Sequence, residues 1–62
     1  MTPKNKANEL FEKYYQINKN HDFDFAKQCA LIAVLEILRA AFFAKDEVYN
    51  FYIEVLQEIE LL

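Results

Sequence analysis

Few side chains in this chain of 62 residues could make or break bonds. His21 stands beside Asp22 and Asp24, a trio that could hold a metal or pass a proton. The same carboxylates, in a polar stretch ahead of an apolar one, serve equally as helix caps. Cys29 is the single cysteine, with Lys27 the nearest base in sequence, and at the edge of an apolar arc it reads as a packed thiol rather than a nucleophile. Glu36 and Arg39, three apart, suit a helix-surface pair better than a catalytic dyad. Structural zinc normally takes four ligands, and only Cys29 and His21 are soft donors here. The chain has no glycine, hence no Gly-rich phosphate loop. The expectation is a protein with no catalytic residue, no metal and no cofactor, and not an enzyme.

Three periodic segments must position whatever does the work. Thr2 and Pro3 pair an N-cap hydroxyl with a proline at the first helical position. Ala7, Leu10, Phe11, Tyr14 and Ile17 follow on one helical face. Glu9 and Lys13 lie four apart in the order that favours an ion pair, and Asn18, Lys19 and Asn20 offer a helix end that tolerates left-handed geometry. Asp22 or Asp24 can cap the second segment. From Cys29 to Ala44 it carries only Glu36 and Arg39 as charges. Leu31, Leu35, Leu38 and Phe42 make a bulky ridge. Ala26, Ala30, Ala33, Ile37, Ala40 and Ala44 make a smoother strip, as though the helix were to be sandwiched. The third segment begins near Asp46, with Glu47 also suited to a helix N-terminus, and places Val48, Tyr52, Val55, Leu56, Ile59 and Leu62 on one face.

The fold class expected is all-α, with helices over 3–18, 24–44 and 46–61 in a single domain over 1–62. The architecture is a small three-helix bundle or a helical hairpin with a central apolar helix. No glycine or proline enforces a break at Ala44-Lys45, so segments two and three could also run as one helix of about 37 residues. The break at Lys45 is preferred, because a bundle buries more surface per residue than a rod.

Composition narrows the role. At 55% hydrophobic and 27% charged the chain is neither disordered nor collagen-like. Domains of this size are marginal without disulfides, metal or association, which leaves a homo-oligomer or a partner protein. No secretory signal is read in the first twenty residues, which implies a cytoplasmic protein, and the apolar run falls short of a membrane span. Residues 46–62 hold five acids and no base, and the net charge of −3 comes from there. Glu47, Glu54 and Glu58 share the polar face of the third helix. They form either a solvated acidic surface or a stripe that docks on a basic one. The acidic balance disfavours direct nucleic-acid binding, and no helix-turn-helix with a basic recognition helix is visible. Ten residues are Phe or Tyr. Tyr15, Phe23, Phe51 and Ile53 fall outside or at the margins of the tightest core stripes, and Phe42 and Phe43 are expected to point to different sides, so part of this surface is left for contact.

Three stretches resemble a family of short, mostly uncharacterised phage and prophage proteins. They are 26–34 (Ala-Lys-Gln-Cys-Ala-Leu-Ile-Ala-Val), the opening Thr2-Pro3-Lys4 with Ala7 and Leu10, and the closing Tyr52-Ile53-Glu54-Val55 with Gln57-Glu58-Ile59-Glu60. In that family the position of Leu35 is usually acidic, those of Leu56 and Leu61 are usually lysine, and the connections are longer. Each leucine, once buried, contributes about 1.5 to 3 kcal/mol, so the three exchanges could create a contact surface. Small acidic phage proteins of this sort are similar to anti-defence proteins, including anti-CRISPR inhibitors. The resemblance implies a stoichiometric inhibitor of a host nuclease effector in the host cytoplasm, with a type VI RNA-guided effector as the target. Leu31, Leu35, Leu38 and Phe42 would be the contact ridge, with Glu47, Glu54 and Glu58 steering the approach. The alternative is a homo-oligomeric structural or assembly protein that uses the same ridge twice. A regulator acting on transcription through a protein partner fits as well, but no feature is its own.

Overall fold

Three caps written in the sequence start three helices. The structure, a computed structural model, describes residues 1–17, 22–43 and 46–62. Helix α1 runs Pro3–Ile17, α2 Phe23–Ala40 and α3 Glu47–Glu60. At α1 the Thr2 Oγ1 accepts the Asn5 N–H at 3.1 Å. Asp22, rather than Asp24, caps α2, its Oδ1 accepting the Phe25 N–H at 3.1 Å. Asp46 Oδ1 accepts both the Val48 N–H at 3.0 Å and the Tyr49 N–H at 3.2 Å. Each carboxylate satisfies amides that the first helical turn leaves without a partner, and faces the positive end of the helix dipole.

Each helix packs against the other two, giving a three-helix bundle with principal extents of 37 × 20 × 16 Å. α2 and α3 are separate elements. α2 ends at Ala40, four residues short of the sequence expectation, and a turn follows over 41–43. The Ala41 N–H still reaches the Ile37 carbonyl at 3.0 Å, but Ala41 has left helical geometry at φ −93°, ψ 2°. The reversal that brings α3 back onto α2 consumes the last expected turn. The rings of Phe42 and Phe43 meet edge-on in that turn, with centroids 5.5 Å apart, rather than on different sides as expected; adjacent Phe51 and Tyr52 inside α3 pair the same way at 5.2 Å. The expected helix end at Asn18, Lys19 and Asn20, the possible site at His21 and the break at Ala44-Lys45 lie outside the described residues.

Buried apolar residues among those described are Ala7 and Phe11 on α1, Ala26, Ala30, Val34 and Leu38 on α2, and Val55 and Ile59 on α3. Three of them are alanines, which let helix backbones approach closely but bury little area. Leu10, Tyr14, Leu31, Tyr49, Phe51, Tyr52, Ile53 and Leu56 complete the core from its edges. Phe51 and Ile53, placed at the margin by periodicity, therefore pack against it. Phe11 carries a satellite cluster, stacked on Tyr15 at 5.5 Å and tilted against Phe23 at 4.8 Å.

The sandwich expected for α2 does not form within the chain. The buried line Ala26, Ala30, Val34, Leu38 runs between the two strips read from the sequence, taking part of each, and the opposite side of the helix stays open. The expected Glu9–Lys13 pair is also replaced: Glu9 binds Lys6 at 3.3 Å, one turn earlier.

Candidate protein-contact surfaces

The residues expected to form one contact site are divided by the fold. On α2, Leu38 is 8% exposed and belongs to the core. It is thereby removed from the surface ridge, because the helix rolls its Val34–Leu38 line inward. Leu31 is half-buried against the same core. Leu35 remains at the surface at 52%, and Phe42, in the turn beyond α2, is 48% exposed with its ring against Phe43.

Two residues outside the expected ridge join Leu35: Phe25 at 59% and Ile32 at 58% exposure. At 100° per residue, Phe25, Gln28, Ile32, Leu35 and Arg39 fall within about 80° of one another. Gln28, Glu36 and Arg39 mark this arc as polar when read alone. The signal that locates it is their interleaving with Phe25, Ile32 and Leu35. Glu36 and Arg39 are both exposed, and the ion pair found among the described residues is Lys6–Glu9, so the expected Glu36–Arg39 bridge is not formed.

The acidic residues sit elsewhere. Glu47 is exposed in the first turn of α3. Glu54 and Glu58 line a shallow groove with Thr2, Pro3, Lys4 and Gln57, and Glu58 lines a second with Lys4, Ala7, Asn8, Leu61 and Leu62. No α2 residue lines either groove. Since α1 and α3 both pack on the inward side of α2, the α1–α3 groove and the outer face of α2 point in opposite directions. Apolar line and acidic stripe are thus two surfaces, not one. None of the three glutamates has an ion-pair partner among the described residues.

Neither groove resembles a small-molecule site. Their volumes, about 280 and 230 Å³, fall below the roughly 300 to 1,000 Å³ typical of such pockets. Among the described residues no three His, Cys, Asp or Glu side chains converge as metal ligands do, and Cys29 is a half-buried free thiol. No described helix is long and apolar enough to cross a membrane. Leu35 lies on the outer α2 face, Leu56 packs on the core and Leu61 is exposed beside the second groove.

One contact in the bundle joins residues far apart in sequence. The Lys27 Nζ donates to the Glu60 carbonyl at 3.0 Å, placing a cation at the negative end of α3. Comparison of the chain with protein-family models, curated proteins and solved structures finds no match.

Proposed function

We propose that this protein acts by stoichiometric binding rather than turnover, as a phage-encoded inhibitor of a host nuclease effector in the host cytoplasm. The observation that carries this reading is the division of the surface. One side of a minimal bundle presents Phe25, Ile32 and Leu35 to solvent, and the opposite side presents glutamates without described counter-ions. Contiguous exposed apolar residues edged by charge are a usual mark of protein contact. The acidic side suits the basic channel in which a nuclease holds its guide or target strand, because a carboxylate stripe competes there with phosphates.

The test is a titration of the purified protein against RNA-guided nucleases, beginning with a type VI effector. The reading predicts that cleavage falls to background near one equivalent per effector. Replacing Glu54 and Glu58 together by lysine relieves the inhibition while the fold is retained. Full nuclease activity at large molar excess, across the defence nucleases of the host, contradicts it.

A further inference from the structure

Read along its outer face, α2 carries Phe25, Gln28, Ile32, Leu35 and Arg39, with Phe42 following in the turn beyond the helix. The intervals along the helix are three, four, three and four, the spacing of a coiled-coil seam. The line faces away from Ala26, Ala30, Val34 and Leu38, which are buried inside the bundle. From Gln28 to Arg39 its chemistry also reads the same in both directions: polar, aliphatic, aliphatic, polar.

The geometry points to a second copy of this chain as the occupant of that face, paired antiparallel about a twofold axis between Ile32 and Leu35. Under that symmetry Ile32 meets Leu35 of the partner copy, Gln28 meets Arg39, and Phe25 lies toward the turn that carries Phe42, each contact made twice as an isologous interface requires. Arg39 then lies about 6 Å along the axis from Asp24 of the other copy, one turn beyond Gln28, so its guanidinium gains both an amide and a carboxylate. Asp24 is exposed in the first turn of α2, ready for that role. A parallel pair would instead set Arg39 on Arg39 at the end of the seam, with no carboxylate opposite, which like-charge repulsion opposes. The four apolar side chains expose roughly 400 Å² per protomer on typical side-chain areas. Two such faces, with their polar flanks, reach the order of 1,000 Å² at which specific interfaces begin, which predicts a concentration-dependent dimer rather than an obligate one.

This inference goes beyond the inhibitor reading and is tested on the purified chain alone, so either can fail without the other. The pairing uses the outer face of α2 and leaves Glu54 and Glu58 facing outward on both copies. Sedimentation velocity over a concentration series is expected to show a species of twice 7.4 kDa growing with concentration. Ile32→Glu with Leu35→Glu is expected to weaken dimerisation by about a hundredfold or more, with helicity by circular dichroism unchanged because both side chains are exposed. Orientation is read in a Cys29→Ser background. Gln28→Cys and Arg39→Cys chains should cross-link with each other when mixed, and neither should cross-link efficiently with itself. A monomer throughout the series overturns the proposal, as does self-cross-linking of the Arg39→Cys chain or a dimer that survives the double substitution.

Discussion

The Lys27 ammonium reaches across 33 residues to the Glu60 carbonyl, 3.0 Å away, and ties the first turns of α2 to the last turn of α3. α3 needs such a cation, because Glu58 and Glu60 stand where the helix dipole disfavours negative charge and the helix has no base in its last turn. Lys27→Met keeps most of the aliphatic stem and removes the donor. The expected cost is about 0.5 to 1 kcal/mol, seen as a fall of several degrees in the thermal midpoint of a domain this small. Lys27→Arg should recover most of it.

The caps give a second expectation. Asp46 accepts two amide protons and Asp22 one. Asp46→Ala should therefore cost about 1 to 2 kcal/mol and Asp22→Ala about 1 kcal/mol in denaturant titrations. Asn at either position should be nearly neutral, since its side-chain oxygen also accepts.

Core and surface substitutions should separate sharply. Ile59 and Val34 are fully buried, while Leu35 is half-exposed. Ile59→Ala is expected to lose about 2 to 5 kcal/mol, a large share of the roughly 3 to 9 kcal/mol that a domain of this length holds, and to leave the chain partly unfolded at 25 °C. Leu35→Ala should keep the full helical signal in dilute solution. Loss of that signal in Leu35→Ala at low concentration would show that the bundle depends on the outer face for folding itself.

Ala26 and Ala30 lie on the inward face of α2 and are both fully buried. Ala30→Leu should destabilise by about 1 to 3 kcal/mol through overpacking, whereas the same change at exposed Ala40 should be neutral within about 0.5 kcal/mol. Equilibrium unfolding of the two variants side by side distinguishes them.

What was legible in the sequence follows from how strongly each segment is polarised. Thr2-Pro3, Asp22 and Asp46 announce helix starts by local chemistry alone. α3 announces its inward face because Val55 and Ile59 alternate with glutamates. α2 announces a helix but not its orientation: with apolar residues on most of its circumference, the pattern cannot say which line turns inward. Packing settles it through size, since Ala26 and Ala30 permit close approach where Leu35 or Phe25 would not. That choice moved Leu38 into the core and left Ile32 and Phe25 outside. The Lys27–Glu60 contact was beyond reach, because it depends on how α2 and α3 come together.

On the proposed pairing, the outer face of α2 is a contact surface filled by a second copy. The most direct measurement is the thermal midpoint as a function of protein concentration, from about 1 μM to 1 mM, for the native chain and for Leu35→Glu. Association that favours the folded state must raise the midpoint with concentration. The account predicts a rising midpoint for the native chain and a flat one for Leu35→Glu; a flat line for both would contradict it.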